Sequence, residues 1–179
     1  MRYEALPFAE VHANVLHLLP PPPARVLDIG AGTGRDAAAL AALGHAVTAV
    51  ERTAALRLGA QRLHPSPSIR WLDDHLPDLA SVGGSFDAVL LTAVWMHLDE
   101  AERARAMSVV AALVTAGGVL TMTLRHGPVP PGRRMFEVTM AETIALVEAA
   151  GLHCIDRSTG DAGRYAQPGV TWDRLTFRR

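Results

Sequence analysis

The nine residues Val26-Leu27-Asp28-Ile29-Gly30-Ala31-Gly32-Thr33-Gly34 constrain this chain more than any others. An apolar run stops at a glycine, two further glycines follow at alternate positions, and an alanine- and leucine-rich stretch over residues 36–43 closes at Gly44. A short apolar run bounded by turn residues reads as a buried strand, and a glycine just past an apolar stretch suits a helix C-terminus. The glycines between them let the backbone turn sharply and approach a ligand that any Cβ would block. The stretch therefore reads as strand, glycine turn, helix, with a ligand at the turn.

The same alternation continues. Residues 46–50 form a β-branched run ending at Glu51, and residues 53–63 have helical character before Pro65 and Pro67. Strands are predicted over 68–72, 86–91 and 119–124, the last after Gly117-Gly118, with helices over 100–114 and 140–150. Two final strands, 152–156 and 170–177, have no long helix between them, so they are expected to pair as an antiparallel hairpin through the loop from Gly160 to Gly169. Upstream, Val11, Val15, Leu18 and Leu19 recur at helical spacing, which predicts one helix over 6–19 ended by Pro20 to Pro23. The sum is an α/β chain with a mostly parallel, helix-covered sheet and an antiparallel edge.

At 179 residues the chain suits a single domain, with residues 1–24 as an N-terminal helix and proline linker that cap the ligand site. Hydrophobic residues make up 49% and charged residues 20%, enough to bury a core and too apolar for a disordered chain. The formal net charge of −1 gives no global attraction to phosphate backbones or anionic membranes. A small-molecule partner is favoured over nucleic acid or membrane. A lone Cys154 and the lack of a basic region followed by an apolar run at the N-terminus point to the cytoplasm. His45, His64, His75 and His153 show no metal-ligand spacing with cysteine, so no metal site is expected.

Glu51 lies 21 residues after Gly30, at the end of the second strand, where a carboxylate can accept hydrogen bonds from vicinal ribose hydroxyls. A dinucleotide would fit such a site, but its fingerprint is G-x-G-x-x-G, and here the third glycine comes one residue early. Asp28 discriminates further. A carboxylate two residues before the first glycine repels a pyrophosphate and attracts the ammonium of an amino acid. S-adenosylmethionine has that ammonium and no phosphate.

With Asp28-Ile29-Gly30-Ala31-Gly32-Thr33-Gly34, Glu51, Leu72-Asp73-Asp74 and Phe86-Asp87-Ala88-Val89-Leu90, the chain resembles the class I S-adenosylmethionine-dependent methyltransferases over residues 25–124. The resemblance implies a Rossmann-like, doubly wound sheet of seven strands with helices on both faces. It also implies that Gly30, Ala31, Gly32 and Gly34 border the methionine part, Glu51 and neighbouring Arg52 the ribose, and Leu72 and Asp73 the adenine. Thr92 and Ala93, after the fourth strand, are expected near the sulfonium. Asp36, in the first turn of the following helix, suits the helix dipole and lies beside the ligand loop. The Gly32-Thr33-Gly34-Arg35-Asp36 run and Gly44-His45-Ala46-Val47-Thr48-Ala49-Val50-Glu51 are similar to short methyltransferases acting on tellurite and small metabolites.

Methyl transfer from a sulfonium is an in-line displacement, so holding the acceptor opposite the sulfur supplies much of the catalysis. Three candidates stand where an acceptor should enter: His97 after Trp95 and Met96, and Arg125 with His126 at the end of the fifth strand. Histidine titrates near neutrality and arginine pairs bidentately with carboxylate or phosphate, so an anionic small-molecule acceptor is expected. Arg133 and Arg134 extend this basic loop. Against that, Trp95, Met96 and Leu98 can be core, with His97 bonded to backbone. Tyr3 and the N-terminal helix are expected over the cofactor, His12 and His17 at the surface, and residues 171–179 at the sheet edge. Two other functions fit the same motifs: an RNA methyltransferase, though Thr92-Ala93-Val94-Trp95 departs from the Asn/Asp-Pro-Pro-Tyr pattern, or a non-catalytic S-adenosylmethionine-binding regulator.

Overall fold

A computed structural model describes residues 2–160 and 166–179. The side chain of Tyr3 and residues 161–165, the middle of the expected hairpin loop, lie outside the described part. Seven strands form one sheet: β1 (Arg25–Ile29), β2 (Ala46–Val50), β3 (Ile69–Leu72), β4 (Phe86–Leu91), β5 (Val114–His126), β6 (His153–Gly160) and β7 (Thr171–Arg178), in the order β3-β2-β1-β4-β5-β7-β6. Pairs from β3 across to β5 are parallel, while β7 runs antiparallel to both β5 and β6. The chain reverses its direction of travel across the sheet between β1 and β4. The carboxyl ends of strands at such a switch point leave a crevice for a ligand.

Helices cover both faces, as the alternation predicts. On one side α1 (Phe8–Val11) and α2 (Arg35–Ala42) press Phe8, Ala37 and Leu40 onto Val26, Val47, Ala49 and Leu90; α3 (Ala54–Leu63) follows β2. On the other, α4 (Glu100–Leu113) and α5 (Met140–Ala149) bury Met107, Val110 and Val147 against Leu27, Val89, Leu120, Met122 and Phe177. The start of α4 is fixed by a capping box, with Asp99 accepting from the Glu102 amide and Glu102 reaching back to the Asp99 amide, both at 2.9 Å. Arg103, buried at the α4–α5 contact, pairs with Glu142 at 2.7 Å and donates to the Leu98 carbonyl.

Three expectations are corrected. The helix over 6–19 is only the single turn of α1 followed by a 3-10 turn at Leu16–Leu18. The chain leaves the helical conformation at His12, and Phe8, His12 and Val15 are buried all the same. The C-terminal segment is not at the edge: β7 is inserted between β5 and β6, and β6 is outermost. The fifth strand begins at Val114, not after Gly117-Gly118. Those glycines form an irregularity within it, where the register to β4 jumps between Phe86 and Ala88.

The two glycines serve different ends. Gly117 has φ +77° with open space around it, whereas a Cβ on Gly118 would meet the carbonyl oxygens of Thr115 and Asp87 at 3.0 and 3.1 Å. Gly117→Ala is therefore expected to cost about 1–2 kcal/mol from left-handed strain alone. Gly118→Ala should cost more, because backbone must move. Urea unfolding of the two variants tests the order.

Candidate functional site

The expected ligand residues converge at the carboxyl ends of β1, β2 and β4. Gly30 and Ala31 leave β1 with their amides on the Val50 carbonyl at 2.8 and 2.9 Å, which curls the loop over the end of β2. All three glycines have positive φ, but their surroundings differ. A Cβ on Gly30 would strike Val94 at 2.6 Å and one on Gly34 would strike Trp71 at 2.9 Å, so these two glycines serve packing of the loop. A Cβ on Gly32 would meet only the Gly30 carbonyl, at 3.9 Å. Gly32 is where the loop faces open space and a ligand can approach the backbone.

Glu51 ties this loop to the next helix. Its Oε2 accepts from the Gly32 amide at 3.0 Å and its Oε1 from the Thr53 amide at 2.7 Å. Each carboxylate oxygen keeps a further lone pair for a hydroxyl. Arg57, which the sequence reading passed over, donates to the Glu51 carbonyl and to Asp73 Oδ2 at 2.7 Å. Asp73 is exposed at the end of β3 beside half-buried Leu72, and Arg52 is exposed next to Glu51. Asp74, by contrast, is consumed by its own turn, accepting from the His75 and Ser81 amides.

By the glycine loop lie two buried acids whose pKa values are shifted in opposite directions. Asp36 loses water on burial, yet hydrogen bonds and charges from His12 and Arg35 hold its carboxyl well below the usual carboxylate range. His12 Nε2 donates to Oδ2 at 2.9 Å, Arg35 Nε to Oδ1 at 2.6 Å, and the Thr92 hydroxyl to Oδ2 at 2.9 Å. His12 is thus not at the surface as expected but buried, since Asp36 needs a donor from the N-terminal segment. Asp28 is pushed well above the usual range by burial, then by the charge of Asp36, against weaker help from Arg35 and the Ala37 amide. Its Oδ2 is buried with no partner.

Beyond the loop, Thr92 and Ala93 end β4 beside Gly30 and the start of α2. Ala93 has φ +59°, a left-handed conformation costly for a residue with a Cβ, and its amide donates to the Thr123 hydroxyl at 2.8 Å. Trp95 and Met96 are fully buried, as core. His97 is half-buried and donates Nδ1–H to the Arg134 carbonyl at 2.7 Å.

The basic loop after β5 is less free than its composition implies. Arg125 donates to the Pro128 carbonyl at 3.0 Å. His126 donates to Asp173 at 2.9 Å, and Asp173 also accepts from Thr159 at 2.6 Å, linking β5, β7 and β6. Arg134 is a correction: its charge is taken by Asp99 and Glu102 at 2.9 and 2.7 Å, so it is not available to read an anion. Neither Asp173 nor Arg57 carries a motif; only their positions in the fold make them partners of the site. Among the described residues no group of histidine, cysteine and acids is arranged to hold a metal ion, and no helix is long and apolar enough to cross a membrane.

The model of the methyltransferase domain family matches residues 26–118, more than half of the chain. Human glycine N-methyltransferase is 29% identical over 188 residues, covering 86% of this chain and 63% of the relative. An uncharacterized methyltransferase of Mycobacterium tuberculosis is 36% identical over 108 residues, covering 57% of this chain and 54% of the relative. The chain thus spans between half and two thirds of these relatives' lengths. Among solved structures, the 1,6-didemethyltoxoflavin-N1-methyltransferase of Burkholderia thailandensis, bound to its acceptor and S-adenosylhomocysteine, superposes with a TM-score of 0.78 at 24% identity, covering 98% of this chain and 79% of that one. A TehB-like S-adenosylmethionine-dependent methyltransferase from Corynebacterium glutamicum superposes with a TM-score of 0.76 at 21% identity, covering 99% and 94%.

The two acids set opposite pH dependences. An acid whose folded pKa is raised binds its proton more tightly in the native state, so stability falls as pH rises from the unfolded value through the folded one. Asp28→Asn is therefore expected to melt higher than the wild type near neutral pH and to lose that advantage toward pH 4. Asp36→Asn should do the reverse, melting lower at neutral pH, because a lowered pKa contributes stability above the unfolded value. Thermal melts of both variants across pH 4–8 without ligand check the signs.

Proposed function

Because the chain belongs to the methyltransferase domain family, we propose that it binds S-adenosylmethionine at the carboxyl ends of β1, β2 and β4 and transfers its methyl group to a small-molecule acceptor. The observation that carries this reading is the orphaned Oδ2 of Asp28 under a loop whose Gly32 faces open space. A buried acid oxygen with no partner, whose ionised form is disfavoured by burial and by Asp36, becomes a favourable counter-charge once a cation arrives with the ligand. The amino-acid ammonium of S-adenosylmethionine is such a cation.

The remaining residues fit the rest of that molecule. Glu51, already fixed by two backbone amides, has lone pairs aimed at no protein donor and suits the ribose hydroxyls. Arg57 holds Asp73 at the end of β3, where its free oxygen suits the adenine amino group. Thr92 and Ala93 face the sulfonium end. When bound, the cofactor supplies an electrophilic methyl. The protein's part is to hold the acceptor atom opposite the sulfur, where positioning alone supplies several kcal/mol of a typical barrier reduction.

The acceptor reading is an anionic small molecule bound beside Arg125 and His126. Arg125 keeps donor nitrogens beyond the one on Pro128, and His126 is held by Asp173 with its other nitrogen available. Glycine, the substrate named for one relative, is the first probe because it carries a carboxylate, with an anionic hydroxybenzoate as a second carboxylate of different acceptor atom.

Calorimetric titration with S-adenosylhomocysteine tests the cofactor. Glu51→Ala is expected to weaken binding by at least about tenfold, close to 1.4 kcal/mol; absence of binding to the wild type would refute the proposal. For the acceptor, Arg125→Ala and His126→Ala should raise the KM for the anionic probe while leaving cofactor affinity within a factor of two or so, since one lost charged contact is worth roughly 1.5–3 kcal/mol.

A further inference from the structure

The loop from Gly127 to Thr139 is stapled to the turn after β4 by a reciprocal set of bonds centred on one arginine. Arg134 donates Nη1 to the His97 carbonyl at 3.1 Å and to Glu102 at 2.7 Å, and Nη2 to Asp99 at 2.9 Å. In return His97 Nδ1 meets the Arg134 carbonyl at 2.7 Å. The guanidinium also lies over the Phe136 ring, 4.6 Å from its centre, and the Phe136 amide donates to the Met96 carbonyl at 2.8 Å.

This geometry fixes a proton. A carbonyl oxygen only accepts, so the hydrogen must sit on His97 Nδ1, and a neutral ring then carries its lone pair on Nε2. The carbonyl is held in place because Arg134 is tied by a planar fork to two carboxylates that themselves form the capping box of α4. Asp99 and Glu102 from α4 and Arg134 from the loop are the charged groups bonded around this turn. One guanidinium set against two carboxylates leaves the cluster net negative, so it holds geometry and does not present a cation.

We propose that Arg134 is a positioning residue for methyl transfer, holding the backbone carbonyl that keeps His97 as the Nδ1–H tautomer with Nε2 as proton acceptor. The inference rests on the methyltransferase reading above. In the step it serves, the acceptor's heteroatom attacks the methyl carbon and the carbon–sulfur bond breaks with its electron pair going to sulfur. The heteroatom's proton passes to His97 Nε2. The thioether leaves neutral, and His97 returns the proton to water.

The test uses the full chain with S-adenosylhomocysteine, and nitrogen-15 spectra of its histidines, a readout that does not require the acceptor to be known. In the wild type His97 is expected as the Nδ1–H tautomer; in Arg134→Ala it should become a mixture with Nε2–H. Arg134→Lys keeps the charge but cannot span two carboxylates and a carbonyl, so it should not restore the wild-type spectrum. His97→Asn keeps a donor at the Nδ1 position and removes Nε2, so the staple survives without the base. His97→Asn should lower kcat for the turned-over probe acceptor by roughly 100-fold, and Arg134→Ala by a smaller factor set by the fraction of Nδ1–H tautomer lost, with KM for cofactor little changed in both. An unchanged His97 tautomer in Arg134→Ala, or full turnover by His97→Asn, overturns the proposal. Loss of S-adenosylhomocysteine binding in the wild type itself instead refutes the cofactor reading, and the two failures are told apart by the same titration.

Discussion

The carboxylate of Asp36 is the interaction on which the site is built. It is buried, yet it receives hydrogen bonds from His12 in the N-terminal segment, Arg35 in the first turn of α2 and Thr92 at the end of β4. A buried charge is tolerated only when it is paired and bonded, and removing one partner leaves it uncompensated. Three segments distant in sequence are thereby held around the glycine loop. The N-terminal segment has a single helical turn and buries Phe8 and Val15, so its placement against α2 depends on His12 as much as on apolar contact.

Burial raises the pKa of Asp28, and Asp36 raises it further. With one negative charge already stabilised nearby, a second carboxylate in the same buried region is driven toward its neutral form. Asp28 Oδ2 is thus buried without a partner by the glycine loop, a cost that the ammonium of the proposed cofactor would offset. Polar groups elsewhere around the loop have protein partners: Glu51 bonds Gly32 and Thr53, Asp73 bonds Arg57, both with acceptor capacity left over, and Asp74 is taken up by its own turn. The site is pre-organised by backbone amides, and Asp28 is its point of electrostatic incompleteness.

The acceptor side has a different construction. There the loop after β5 is bonded to the turn after β4, and Arg125 and Arg134 are engaged with carbonyls and carboxylates. Arg134 is spent on the α4 cap, Arg125 on a turn carbonyl, and His126 on Asp173. Such bonds restrict the loop before any acceptor arrives, which lowers the ordering entropy lost on binding. The left-handed Ala93, held by Thr123, places local strain at the junction between the two halves of the site.

Much of this was legible in the sequence, because its signals are local. Strand and helix periods, the glycine turn and the acid at the end of β2 each follow from residues within a few positions of one another. The sequence alone thus determined the alternating α/β order, the glycine turn from Gly30 to Gly34 and the place of Glu51 beside it. Tertiary structure decided what depends on contacts between distant segments. It inserted β7 inside the sheet, buried His12 on Asp36, gave Asp173 to His126 and turned Arg134 from an expected anion reader into a staple. A side chain's charge is written in the sequence. Which opposite charge it meets is set only when strands and helices pack, because partners 24 to 47 positions apart leave no periodic trace.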